Sequence, residues 1–289
     1  MNRTFHTIYI GLFYLTGITV TLILIVKGFG YYITPIEERF FNINHETLEP
    51  SGIIGHGLGI TGSLMMVFGV AIYMIRKREM FFLRAGQLKH WLELHIFLCT
   101  VGPVLILFHT AFKFGGLVAI SFWSMIAVVL SGVIGKFIYV QIPRSIQGKE
   151  LDIQEMNEIN EHLTIELKTR YNVSDEVLTK IEHLCSTTRY NKMAFVESIF
   201  VIFKDYFRTK RVLGQLKEEM KKTQGKNIHQ LLKVIKSKIV LSRHIGQYRT
   251  MQKLFRYWHV AHLPFALVMF IIMVVHIVIA VYFGYKWIF

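Results

Sequence analysis

The chain has 289 residues, 53% of which are hydrophobic, and its mean hydropathy is +0.41. This composition is too apolar for an ordinary soluble domain and indicates an integral membrane protein. The formal net charge of +14 fits nucleic acid, anionic lipid, or one basic side of a membrane protein. Because the sequence has neither a glycine-rich phosphate loop nor zinc-finger spacing, we expect no nucleic-acid partner.

Five segments are apolar over the length of about 20 residues that a bilayer-spanning helix needs. They are residues 7–26, 53–75, 92–112, 117–140 and 260–282. The first apolar run is too long for a signal peptide and no A-x-A cleavage site follows it, so we expect a retained span.

The loops between these segments predict the orientation of the chain. Residues 76–90 carry five Lys or Arg and one Glu, whereas residues 31–50 carry four Glu and one Arg. Since short basic loops stay in the cytoplasm, we expect a multi-pass protein of the cell membrane. Its N-terminus is then cytoplasmic and its C-terminus extracytoplasmic.

The predicted organisation has three parts: spans one to four (residues 1–142), a cytoplasmic insert (143–255) and the fifth span (256–289). The insert is basic, with 21 Lys and Arg against 13 Asp and Glu. The fold class is therefore all-α, an integral membrane bundle of five transmembrane helices with a helical insert between the fourth and fifth spans.

The insert shows helical periodicity. Apolar residues recur at helical spacing at Met156, Ile159, Leu163 and Leu167. A second helix is predicted after an N-cap at Ser174, with its apolar side at Val177, Ile181 and Leu184. Residues 193–207 are apolar but too short to span, so they pack on the other helices or lie at the membrane surface.

Two apolar spans each carry two histidines fourteen residues apart: His95 and His109 in the third span, His262 and His276 in the fifth. Fourteen residues of α-helix make about 3.9 turns, so the two side chains of a span point within about 40° of each other. They are separated by about 21 Å along the helix axis.

The orientation places these histidines at matched depths. His95 lies six residues after Lys89, and His262 lies six residues after Arg256. Because both spans are expected to run from inside to outside, His95 and His262 form an inner pair, and His109 and His276 an outer pair.

Two neutral imidazoles that face each other in hydrocarbon suit both axial positions of a b-type haem. The sequence therefore predicts two b-type haems, with His95, His109, His262 and His276 as the iron ligands. A lone intramembrane histidine more often binds a neighbouring helix or lines a proton path. A zinc-transport site would need carboxylates among the histidines, and only Glu93 lies near a span.

Several neighbours are candidates for the haem surroundings. Gly102, midway between His95 and His109, either gives room for porphyrin or serves helix packing, and Gly55 and Gly59 allow close approach. His56 is a candidate for contact with the outer haem or for quinone protons, while His90 and His259 are expected at the membrane interface. The basic residues that set topology are also candidates for the haem propionates. They are Arg84, Lys89, Lys136, Arg144 and Arg256 on the inner side, with Lys113 and Lys286 on the outer.

The two fourteen-residue histidine pairs resemble the di-haem core of the ferric reductase-like and cytochrome b561-like membrane cytochromes, which NADPH oxidases share. In those families two helices each give two axial histidines to two b haems. The resemblance covers about residues 53–142 and 256–289. It implies a membrane-bound di-haem b-type cytochrome in a helical bundle.

The chain also departs from those families. They commonly carry a C-terminal flavin and nicotinamide module, whereas this chain ends at Phe289 and residues 143–255 contain no Rossmann fingerprint. We therefore expect a separate electron donor, which is a quinol, a ferredoxin or a flavoprotein. The basic insert could dock an acidic donor, rest against anionic lipid, or only obey the charge rule.

The expected function is electron transfer across the membrane, from a cytoplasmic or quinol donor to an extracytoplasmic acceptor. Whether the chain is an enzyme stays open at this point. One alternative is a ferric or quinone/quinol oxidoreductase that acts at one haem edge. A second alternative is a non-redox membrane sensor or assembly subunit with the insert as its working part.

Overall fold

A computed structural model describes residues 3–78, 88–143, 151–175, 178–179 and 228–284, with scattered positions between 201 and 214. These residues form helices, turns and loops, and no strand occurs among them. The helices are α1 (Arg3–Tyr32), α2 (His45–Leu48), α3 (Ile53–Lys77), α4 (Leu88–His109), α5 (Gly116–Gln141), α6 (Ile153–Thr169) and α7 (Ile228–Tyr282), with a 3-10 turn at Arg39–Phe41.

Five of the described helices are long and apolar enough to cross a membrane. They are α1, α4, α5, α7 and the segment His45–Lys77, which ends with α3. In hydrocarbon, helices satisfy all backbone polar groups internally, which is why apolar segments of this length adopt them. The predicted all-helical fold class and multi-pass membrane protein are thereby confirmed. The fifth span does not begin as a separate helix, because α7 runs through 55 residues from the insert into the span.

The chain divides into two compact units, of which the first holds residues 1–133 and 260–289. Its core is an apolar cluster made of methionine and phenylalanine side chains from α3, α5 and α7, against which Ile106 and Leu107 of α4 pack. The buried members are Met66, Phe122, Met125, Met269 and Met273. Within this unit α3 and α4 run antiparallel and touch backbone to backbone, since a Cβ on Gly62 would lie 2.8 Å from the Gly102 carbonyl oxygen.

A loop after α1 is fixed by one buried arginine. Arg39 is only 4% exposed. Its Nε donates to the Thr34 carbonyl at 2.9 Å and its guanidinium donates to the Tyr32 carbonyl at 2.8 Å. It also donates to the carbonyl of Ala111, just beyond the end of α4. The arginine thus satisfies carbonyls at the C-terminal ends of both α1 and α4 and joins the loop to them.

The second unit holds residues 134–259, and α6 packs there against α7. α6 starts with a capping box: the Asp152 side chain accepts a hydrogen bond from the backbone N–H of Glu155, and the Glu155 side chain accepts one from the backbone N–H of Asp152. Met156 and Leu167 are buried as predicted, but Ile159 is 43% exposed. The buried face passes through Asn160 instead, whose amide oxygen accepts a hydrogen bond from the Ser242 hydroxyl at 2.8 Å.

Two predictions for the insert fall outside the described residues. These are the apolar side of the second insert helix at Val177, Ile181 and Leu184, and most of the segment 193–207. At its start, the Leu178 amide donates to the Ser174 carbonyl at 3.2 Å, as a helix that begins after Ser174 requires.

Candidate functional site

Both histidines of α4 are held by backbone carbonyls of α3. The Nδ1 atom of His109 lies 2.8 Å from the Gly55 carbonyl oxygen, and that of His95 lies 3.0 Å from the Gly69 carbonyl oxygen. The two acceptors are fourteen residues apart, as are the two histidines. Because α3 and α4 are antiparallel, one spacing repeated on both helices places the same contact at two levels.

These contacts indicate which ring nitrogen of each imidazole carries the proton. A carbonyl oxygen only accepts hydrogen bonds, so Nδ1 of His95 and of His109 must carry the proton. In the neutral ring the lone pair is then on Nε2. An imidazole oriented through Nδ1 with Nε2 available is the arrangement that metal-bound histidines commonly show.

His262, on α7, is oriented in the same way by a side chain of α5. Its Nδ1 lies 2.6 Å from the Ser131 hydroxyl oxygen. That hydroxyl donates its own proton to the Val128 carbonyl at 2.9 Å. With the hydroxyl proton directed to Val128, the serine oxygen can accept a hydrogen bond from His262 Nδ1, and in that tautomer the lone pair of the neutral ring is on Nε2.

At the outer level the structure brings three histidines near one another. The ring centroids of His56 and His109 are 6.5 Å apart, with ring planes at 84°. His276 is near enough to both for positive charges on these rings to repel one another. In the described part of the chain, no hydrogen-bond partner orients His276.

At the inner level each histidine has its own anchors. The His95 ring also lies 5.2 Å from the Tyr73 ring, and its Nδ1 is 3.6 Å from the Cys99 sulfur. The contacts that fix His95 thus come from α3 and α4, while Ser131 of α5 fixes His262.

The glycines beside these histidines serve close packing. A Cβ on Gly59 would lie 2.8 Å from Nδ1 of His109, so only glycine lets the ring reach its carbonyl acceptor. A Cβ on Gly102 would lie 2.9 Å from both the Gly62 carbonyl oxygen and the Met66 side chain. For Gly102 the structure therefore supports the helix-packing alternative.

The basic candidates differ in their surroundings. Lys89 is paired with Glu93, with the ammonium nitrogen 3.8 Å from a carboxylate oxygen. Lys113 and Arg256 are exposed, and the Lys136 ammonium lies 5.8 Å from the centre of the Tyr139 ring. Three candidates lie outside the described residues: Arg84, Arg144 and Lys286.

One cluster was missed by the sequence prediction. Where α1 and α4 begin, His6 Nε2 lies 3.1 Å from the Glu93 carboxylate, and His90 Nδ1 lies 3.2 Å from it. The Tyr9 hydroxyl donates to the same carboxylate and lies 2.7 Å from His90 Nδ1. The sequence predicts His90 at the interface but not its contact with His6, because that contact depends on which helices pair.

The signal that could have found this cluster is a carboxylate inside an apolar span. An intramembrane Glu requires a partner, and His6 enters the first span at the same predicted side of the membrane. His259, by contrast, is exposed and has the rings of Phe255 and Trp258 as neighbours, at centroid distances of 6.0 and 5.4 Å.

Comparison of the chain with models of known protein families, with curated proteins and with solved structures finds no match. The site's chemistry therefore depends on the geometry of its own residues. Three of the four candidate ligands (His95, His109 and His262) have Nδ1 hydrogen-bonded. The buried apolar cluster that includes Met66 and Met269 lies in the same unit as these histidines. Imidazoles held in this way are the type of side chain that binds haem iron axially.

Proposed function

We propose that the protein is a di-haem b-type cytochrome that moves electrons across the membrane. The observation that carries the proposal is the doubled register: two histidines fourteen residues apart on α4, held by two carbonyls fourteen residues apart on α3. Helix packing alone needs neither the histidines nor the repetition of their contact at both levels.

In this proposal His95 and His262 hold the inner haem, and His109 and His276 hold the outer one. Haem supplies one-electron chemistry at its iron when it is bound. The chain's own groups do the positioning, because the Gly69, Gly55 and Ser131 oxygens keep Nδ1 protonated and aim Nε2 away from the helix partner.

The apolar layer between the two levels separates them from water. Met269 lies seven residues from both His262 and His276, which is about 10.5 Å along the helix from each. It is 4% exposed and packs in the cluster that holds Met66 and Phe122. A dry layer of this kind favours electron movement between two fixed cofactors over leakage of ions.

A bare metal ion fits the four histidines less well. Among the described residues, the one group of three or more ligand atoms that all lie within 4.8 Å of one another is His6, His90 and Glu93. His56, His109 and His276 do not converge in this way, as a shared zinc ion would require.

The charges of the loops support a direction for the chain but not for the electrons. With the basic residues 76–78 on the cytoplasmic side, His95 is near the cytoplasm and His109 near the outside. Independently of those charges, the proposal takes a quinol or an acidic cytoplasmic carrier as the donor, and the basic insert would attract an acidic carrier. The acceptor is extracytoplasmic.

The test is electron transfer across a sealed bilayer. The purified protein is reconstituted into liposomes that enclose ferricyanide, and dithionite is added outside. We expect the ferricyanide to be reduced faster than in protein-free liposomes, and His109→Ala to abolish this gain. His162→Ala, an exposed histidine of α6, is the matched control and should retain the parent rate.

A preparation that is colourless when haem is supplied during expression would contradict the proposal and favour the sensor or assembly alternative. A haem-containing protein whose liposomes reduce ferricyanide no faster than empty ones would contradict electron transfer across the membrane.

A further inference from the structure

We propose that His6, His90 and Glu93 form a binding site for a divalent transition-metal ion, separate from the proposed haem sites. The three residues come from two spans, with His6 on α1 and the other two on the first turns of α4. Their ligand atoms all lie within 4.8 Å of one another. The Glu93 side chain is only 10% exposed, so the carboxylate is largely shielded from water.

The distances match those of a zinc site. Zn–N bonds of about 2.05 Å and Zn–O bonds of about 2.1 Å in tetrahedral geometry put neighbouring ligand atoms about 3.4 Å apart. In the structure, His6 Nε2 is 3.1 Å from the Glu93 carboxylate and His90 Nδ1 is 3.2 Å from it. An ion could therefore enter with shifts of a few tenths of an ångström.

The chemistry of the donor set also favours a borderline metal ion. Two imidazole nitrogens and one carboxylate oxygen are ligands that Zn²⁺ accepts readily, with a fourth position for water. Mg²⁺ and Ca²⁺ prefer sites made of oxygen. Without metal, protons on the histidines hold the cluster together. On metal binding, the proton of a neutral ring moves through water from the ligating nitrogen to the other ring nitrogen, a doubly protonated ring releases one proton to water, and the freed lone pair binds the metal.

Two further residues surround the three ligands. The Tyr9 hydroxyl contacts His90 Nδ1 and Glu93 Oε2, the carboxylate oxygen that His90 and His6 both face, so it can donate a hydrogen bond to that oxygen while the oxygen binds the metal. The Lys89 ammonium lies 3.8 Å from the other carboxylate oxygen and is 54% exposed. Its positive charge opposes a cation, and its exposure lets it move away into water.

The site lies at one end of the contact between α1 and α4. Farther along these helices, the Phe13 and Phe97 rings stack with centroids 4.5 Å apart, and Gly17 meets the Val101 side chain. A metal ion held by His6 and by the two α4 ligands would cross-link the first span to the third span through coordination bonds. The inference does not depend on the proposed haems.

The experiment uses the full chain in detergent, stripped with a chelator and titrated with Zn²⁺ against a chromophoric competitor. We expect one equivalent of Zn²⁺ to bind. His6→Ala, His90→Ala and Glu93→Gln should each weaken that binding by about 100-fold or more, above the 10–100-fold effect of outer-shell changes. His162→Ala, on the exposed side of α6, should bind like the parent.

Lys89→Gln provides a test that misfolding cannot imitate. Removing the opposing charge should tighten Zn²⁺ binding about two- to fivefold, the range expected for a partly exposed ion pair. X-ray absorption spectroscopy at the zinc edge should show a coordination shell of nitrogen and oxygen atoms that includes two imidazoles. The haem content of each variant is measured in parallel, so a failure of the haem proposal is seen separately.

Two results would overturn the metal site. One is a parent protein that binds no Zn²⁺ in competition with the chelator. The other is equal binding by the parent and by all three ligand variants, which would assign the zinc to adventitious surface groups.

Discussion

Gly59→Ala tests whether the position of the His109 ring matters to the proposed outer haem. The new Cβ would lie 2.8 Å from Nδ1, 2.9 Å from Cε1 and 3.0 Å from Cγ of that imidazole. Normal carbon contacts need about 3.5 Å or more, so the ring must move by about 0.6 Å. The hydrogen bond from Nδ1 to the Gly55 carbonyl, now 2.8 Å, then reaches its outer limit.

The loss of this hydrogen bond sets the expected magnitude. A hydrogen bond of this kind contributes about 1 kcal/mol, which is about fivefold in an equilibrium constant. Loss of an orienting partner from a metal-bound histidine costs about 10- to 100-fold in affinity. We therefore expect Gly59→Ala to lower outer-haem occupancy or shift its reduction potential, while the inner haem keeps its spectrum and potential.

The assay is a redox titration of the purified protein followed by its reduced-minus-oxidised spectrum. Gly132→Ala is the matched control, because that glycine is also inside a helix and a Cβ there has nothing within 4 Å. The reasoning is refuted if both haems of Gly59→Ala titrate as in the parent, or if Gly132→Ala has the same effect.

Two other substitutions follow from the anchoring contacts. Ser131→Ala removes the Nδ1 partner of His262, so it should shift the inner-haem potential alone, and Ser131→Thr should restore it; an unshifted titration curve contradicts this. Arg39→Met removes a charged donor from three carbonyls and should lower the free energy of unfolding by about 2 kcal/mol or more. Thermal unfolding in detergent measures that loss, and an unchanged midpoint would show that water replaces the arginine.

The spans were predictable because a bilayer imposes a length and an apolar composition on each helix. Their ends were less predictable. The start of the fifth span was expected at Val260, but α7 begins at Ile228, since no proline interrupts the chain before Pro264. A helix continues as long as its backbone hydrogen bonds do, whereas hydropathy marks only the part in hydrocarbon.

The histidine spacing was visible in the sequence, but its anchors were not. The acceptors at Gly55 and Gly69 are backbone carbonyls, which every residue has, so residue type carries no signal for them. The side of α4 that faces α3 also decided the role of Gly102. Sequence spacing placed this glycine midway between the ligands and left two roles open.

The cluster of His6, His90 and Glu93 shows a different limit. Its members lie up to 87 residues apart, and their contact depends on α1 packing against α4. The periodicity of a single helix does not predict which helix is its neighbour. Only the cost of a carboxylate in an apolar span indicated that Glu93 needed partners.

The central claim is that four imidazoles hold two haems at two levels, and haem stoichiometry tests it most directly. The parent, His95→Ala and His276→Ala are purified after expression with haem supplied, and haem per chain is measured with the reduced-minus-oxidised spectrum. We predict two haems in the parent, with a different one lost or altered in each variant. One haem in the parent, or the same spectral change in both variants, would contradict the two-level arrangement.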